Sequence, residues 1–136
     1  MAAPALTGWA QRKPIGEAKR KLVQWEAEQA KQFEALLQLH HLDHWHCTVA
    51  MRSQPGFPDY AIFGDGWHAF CELKARNPEN NRKGRLSPGQ ERYKAAIEAS
   101  GAEYRWFLLP DDWDAVDEWL NDHTGKDIWQ SPRRMA

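Results

Sequence analysis

The chain has 136 residues, of which 42% are hydrophobic and 27% charged, and its formal net charge is −1 at pH 7. That length supports one domain with a real core and is too short for two independent ones. No apolar run is long enough to span a bilayer and the N-terminus lacks a secretory hydrophobic region, so a cytoplasmic protein with no membrane partner is expected.

In chain order, residues 1–15 show little periodicity and read as a flexible tail, residues 16–122 as the folded domain, and residues 123–136 as a C-terminal tail. From about 16 to 41, Leu22, Trp25, Ala30, Phe33, Leu36, Leu37 and His40 recur at helical spacing. Residues 44–50 alternate weakly and suit a strand, followed by the turn residues Ser53-Gln54-Pro55-Gly56. Two apolar runs then flank Asp65-Gly66, a strong two-residue hairpin signal. With that turn, strand partners obey i + j = 131, which sets Asp59 opposite Glu72. Strand side chains alternate, so Glu72 and Lys74 share a face. Asp59, Glu72 and Lys74 therefore converge, with opposed Cβ atoms roughly 5 Å apart. Two carboxylates so close repel unless a cation lies between them, and a hard divalent ion such as Mg²⁺ suits oxygen ligands. Lys74 beside them could assist proton transfer or stabilise developing negative charge.

Residues 75–83 read as a loop rich in Asn and Arg. Ser87-Pro88 opens a helix, with Ser as N-cap and Pro at the first position, and Gly101 closes it. Tyr93, Ala96 and Ile97 are its inward residues, and Gln90 in its first turn can face the hairpin. Tyr104 to Leu109 is a further strand. A helix between it and the hairpin implies a parallel crossover, hence an α/β fold with a small mixed β-sheet flanked by helices. Asp111-Asp112 caps a last helix from Trp113 to about Leu120.

Charge is unevenly spread. Residues 73–94 carry seven Lys/Arg against two acids, and residues 95–136 carry four against nine. A basic stretch beside the carboxylates is what a phosphate-binding groove needs. Arg76, Arg82, Lys83 and Arg85 are the candidate DNA contacts. Ser87 joins them, and so does His46 on the strand before the hairpin. His40, His41, His44 and His46 are close in sequence, but without a Cys-x-x-Cys or His-Glu-x-x-His partner they do not make a zinc motif. Cys47 and Cys71 are expected as free thiols, Cys71 in the core. The eight tryptophans are expected mostly in packing, with Trp67 beside the turn the exposed exception.

Pro58-Asp59 followed by Glu72-Leu73-Lys74 on the next strand resembles the PD-(D/E)XK nuclease superfamily. Gly56-Phe57-Pro58-Asp59 and Gly84-Arg85-Leu86-Ser87-Pro88-Gly89-Gln90 are similar to the G-x-P-D and G-x-L-S-P-x-Q segments of its VRR-NUC family. Gly101 fits as well, and the resemblance covers about residues 26–120. The loop 75–83 departs from the family, whose corresponding link is usually short. The resemblance implies a restriction-endonuclease-like core and metal-dependent phosphodiester cleavage of DNA, often branched or flapped. It implies that Asp59, Glu72, Lys74 and Gln90 are catalytic. Mg²⁺ or Mn²⁺ would be held by Asp59, Glu72, the Leu73 carbonyl and a glutamate of the first helix. Glu26, Glu28 and Glu34 all lie there, and spacing to Asp59 favours Glu28, then Glu26. A phage or bacterial setting is implied too, and a two-fold substrate would require a homodimer. The competing reading is a non-catalytic nucleic-acid-binding module that keeps the nuclease fold.

Overall fold

Asp65 and Gly66 reverse the chain between two strands, and Gly66 takes the left-handed conformation (φ 70°) that such a turn requires. In the computed structural model, which describes residues 17–47, 55–77 and 84–126, these strands are β2 (Tyr60–Gly64) and β3 (Trp67–Ala75). Their register is antiparallel, with Tyr60 opposite Cys71 and Ile62 opposite Ala69, as i + j = 131 requires. Strand β1 (Asp43–His46) pairs antiparallel with β2, and β4 (Glu103–Leu109) pairs parallel with β3. The sheet is thus four-stranded and mixed, in the order β1-β2-β3-β4. Among the described residues there are three helices, α1 (Glu17–Leu39), α2 (Pro88–Ala99) and α3 (Trp113–Thr124). The fold is α/β, a small sheet flanked by helices.

Alternation gives each face of the sheet its own helices. On one face, Tyr60, Ile62, Ala69, Cys71, Phe107 and Leu109 form a single buried cluster with Phe33, Leu36 and Leu37 of α1 and Trp113, Val116 and Leu120 of α3. The Trp113 indole donates to Gln29 Oε1 at 3.1 Å, which ties α1 to α3 without leaving a buried polar group unpaired. Cys71 is fully buried. On the other face lies α2, whose Ile97 is buried.

Helix α2 has the N-terminus its sequence announces. The Ser87 hydroxyl accepts from the Gln90 amide, and the Gln90 side chain accepts from the Ser87 amide, a reciprocal capping box. Its inward residues are Tyr93 and Ile97, whereas Ala96 is exposed, because the helix turns only one narrow stripe to the sheet. The last helix runs past its expected end near Leu120: α3 continues to Thr124 and ends on Gly125 in the left-handed conformation. Its last turn is held by tertiary contact, since the Thr124 hydroxyl lies 2.6 Å from Nδ1 of the buried His40. Expectations for residues 1–16, 48–54, 78–83 and 127–136 fall outside the described residues.

Trp67 is not the exposed tryptophan. Its indole donates to Glu103 Oε1 (2.9 Å), and the Trp119 indole donates to Glu103 Oε2 (2.7 Å). Partial burial alone would raise the Glu103 carboxyl, but these donors, with Arg105 and His123, hold it down at about 2. Among the described residues, the exposed tryptophans are Trp45 and Trp106. No helix of the described residues is long and apolar enough to cross a membrane.

Candidate active site

Asp59 sits one residue before β2, and Pro58 preceding it is fully buried. The hairpin register continues through it by side-chain bonds. The Asp59 amide donates to Glu72 Oε1 (3.2 Å), and the Leu73 amide donates to Asp59 Oδ2 (3.0 Å). Glu72, on β3, is 3% exposed. Its second oxygen, Oε2, accepts from the Gln90 side-chain amide at 2.8 Å and lies 3.7 Å from Lys74 Nζ. Asp59, Glu72, Lys74 and Gln90 therefore meet, supplied by a hairpin and by the first turn of α2.

The two glycines of the flanking segments explain how that turn reaches the hairpin. Gly56 has φ 96°, and a Cβ on it would stand 2.3 Å from the Gly89 carbonyl carbon. A Cβ on Gly89 would stand 3.0 Å from the Pro55 oxygen. Backbone meets backbone here, which brings Gln90 within reach of Glu72.

Both carboxylates are held above their ordinary range. Burial is the main cause for Glu72, and the Asp59 charge adds to it, so that Glu72 is pushed up to about 7 despite Lys74. Burial also raises Asp59, although the Leu73 amide, His46 and Lys74 pull the other way. Desolvation and, for Glu72, the like charge of Asp59 outweigh the nearby cation, Lys74.

Beside the pair opens a cleft of about 490 Å³ between α1 and the strand ends, lined by Glu26, His46, Asp59, Tyr60, Leu73 and Lys74 among others. Glu26 is raised by burial and feels both Lys74 and Asp59. Glu28, which the spacing favoured, does not line the cleft. Two residues on a helix are about 200° apart, so a helix that turns position 26 inward turns position 28 out. Glu34 lies farther along α1. It accepts from the Tyr60 hydroxyl (2.7 Å) and is 3.1 Å from His46 Nδ1. His46 stacks on the Tyr60 ring with centroids 4.3 Å apart. Tyr60 was left out of the sequence reading, although its position opposite His46 in the β1–β2 pairing is the signal that joins them.

The basic residues are less gathered than their sequence clustering suggested. Arg76 is ion-paired with Asp111, its Nε 3.0 Å from Oδ1, and its backbone amide donates to Leu109. The guanidinium holds the β3 end to the turn after β4. The Ser87 hydroxyl is the N-cap of α2. Arg85 is exposed, and Arg82 and Lys83 fall outside the described residues.

Asp59 and Glu72 suit a divalent ion on one ground in particular. Burial raises both carboxyls, and repulsion from Asp59 raises Glu72 further, although Lys74 stands nearby; a hard dication with oxygen ligands relieves that repulsion. Among the described residues, no three His, Cys, Asp or Glu side chains are gathered closely enough to hold a metal by themselves. Mg²⁺ binds through one or two carboxylates and keeps several waters, so a pair such as Asp59 and Glu72 is of a kind it accepts. Leu73 and Glu26 both line the cleft, as Asp59 does. The chain matches no family model, no curated protein and no solved structure with which it was compared.

Proposed function

We propose that this protein is a divalent-metal-dependent nuclease that hydrolyses phosphodiester bonds in DNA, of the VRR-NUC kind within the PD-(D/E)XK nucleases and with their restriction-endonuclease-like core. The observation that carries this reading is the meeting of Asp59, Glu72, Lys74 and Gln90 at one end of the hairpin beside an open cleft. Asp59 and Glu72, with the Leu73 carbonyl and Glu26, are the residues that would hold Mg²⁺ or Mn²⁺. When bound, such an ion supplies Lewis acidity toward the phosphoryl oxygen and toward water.

The remaining work falls to the chain. Gln90 fixes the orientation of Glu72 through its amide. Lys74, anchored near Glu72 Oε2, places a positive charge where negative charge grows on the phosphate in the transition state, and positions the attacking water. The buried Glu72 and the wall formed by Tyr60 and Leu73 keep bulk solvent from one side of the reacting group. An intracellular setting in a bacterial or phage-infected cell belongs to this proposal. So does a homodimer for substrates with two-fold symmetry, which light scattering would test.

Cleavage of a labelled DNA panel (duplex, single strand, flap, four-way junction) with Mg²⁺, Mn²⁺ or EDTA tests the reading. Cutting should require metal and should fall by more than about 100-fold in Asp59→Ala and in Lys74→Ala. Full activity in purified Asp59→Ala protein would overturn it. One observation favours a second reading, a non-catalytic DNA-binding module: both oxygens of Glu72 are already engaged by protein donors. Salt-sensitive DNA binding with no cutting under any metal would select that alternative.

A further inference from the structure

The helices cover the two faces of the sheet unequally. On the face opposite the main core, Tyr104 of β4 is buried, at 6% exposure. The β1–β2 half of the same face carries Trp45 at 69% exposure and Phe63 at 49%. The pairings Trp45↔Ala61 and Ala61↔Phe70 put these three residues in one row across the sheet. Two aromatic side chains thus flank an alanine across two strand spacings, roughly 9.5 Å. That gap leaves room for a planar ring, since stacked bases repeat at ~3.4 Å.

The row continues from the candidate active site. Ala61 is two residues from Asp59, and Phe70 is two residues from Glu72, a step of roughly 7 Å along each strand on the same face. Phe57, also partly exposed, meets Phe70 edge-on at 6.0 Å and Tyr93 at 5.5 Å. At that margin the Arg92 guanidinium lies 5.8 Å from the Tyr93 ring centroid. No Leu, Ile or Val occurs among the residues of β1, β2 and β3 that point to this half of the face, namely positions 43, 45, 61, 63, 68 and 70. Exposed rings with a cation at the rim, running into a phosphodiester-cleaving centre, match nucleotides whose bases are free to stack and whose backbone is anionic.

We infer that the Trp45–Ala61–Phe70 face is a stacking platform for unpaired bases adjoining the bond that is cut, so that the substrate class is DNA with a single-stranded segment. This inference rests on the nuclease reading for its choice of ligand. Paired bases have their faces covered by their neighbours and gain nothing from the platform.

Fluorescence anisotropy of a labelled oligothymidylate and of a duplex of equal length, titrated with the full chain in EDTA, tests it. The wild-type protein should bind the single strand more tightly. Trp45→Ala, at a position too exposed to carry the fold, should weaken single-strand binding about 5- to 150-fold and leave duplex binding unchanged. Trp45→Phe should restore most of the loss. Equal single-strand affinity in wild type and Trp45→Ala overturns the platform, as does failure of the wild type to bind the single strand. A wild-type dimer that becomes a monomer in Trp45→Ala, with oligonucleotide binding unchanged, would assign the face to a second copy instead. Metal-dependent cutting with no effect at Trp45 would leave the nuclease reading standing and the platform refuted. Loss of single-strand binding in Trp45→Ala, from a wild type that cuts nothing, would do the reverse.

Discussion

Glu72 joins structure to acidity most directly. In the unfolded chain its carboxyl loses its proton near 4.5, and in the folded chain only near about 7. Between those limits the native state binds more protons than the unfolded state, so stability falls as pH rises through this window. Asp59, raised from 3.8, acts in the same direction. His40 acts oppositely, because burial, Lys126 and His41 lower it, and its neutral form gains stability as pH climbs toward 6.5. The difference between wild type and Glu72→Gln isolates the first effect. In EDTA, thermal unfolding should show the wild type losing a few degrees relative to the variant between about pH 5 and pH 8, equivalent to ~1 kcal/mol or more. Saturating Mg²⁺ at the upper pH should restore them to the wild type, and parallel curves would rule out the raised carboxyl. At this scale the sequence was partly legible. Asp59 opposite Glu72 followed from a turn that only Asp65-Gly66 could make, whereas Glu26 rather than Glu28 did not. A helix's rotation about its own axis is set by what it packs against, here Phe33, Leu36 and Leu37 on the sheet.

Elements are placed by contacts of equal specificity. The α2 N-terminus is seated by the Gly56–Gly89 contact, and the left-handed Gly56 offers a side chain no room. Gly56→Ala should therefore destabilise the protein by more than about 2 kcal/mol in chemical denaturation, since strain and overlap add. It should also weaken metal-dependent cutting by drawing Gln90 from Glu72. A variant as stable as the wild type would show that the contact is not required. Ser87→Ala removes only the cap and should cost about 1 kcal/mol. The start of α2 was legible because capping chemistry is local. The end of α3 was not, because the partner that keeps the helix going, His40, is 84 positions from Thr124. Arg76 is a similar case: its acid, Asp111, is 35 positions away.

For the molecule as a whole, net charge −1 and the Arg76–Asp111 pair limit how strongly DNA can be held by charge alone. Under the proposed nuclease reading, with Arg82, Lys83 and Arg85 as the other basic candidates for phosphate contact, duplex affinity should fall with salt at a log–log slope near −3, about 0.9 per phosphate contacted. A slope twice as steep would mean that a second basic surface takes part. The parallel pairing of β3 with β4 was legible as a helix between two strands, and the uneven cover of the two sheet faces was not, since helix length along the sheet decides it. One residue spans those levels. Gln90 uses its carbonyl oxygen to accept the Ser87 amide and its amino group to donate to Glu72. Each alternative side chain forfeits one of the two. A glutamate could close the helix but would set a third carboxylate against the pair, and a lysine could meet Glu72 but has no acceptor for the cap. If the proposed nuclease reading holds, position 90 is a joint constraint on folding and chemistry, and a protein that abandoned cleavage would be free to lose the amide only after finding another way to begin α2.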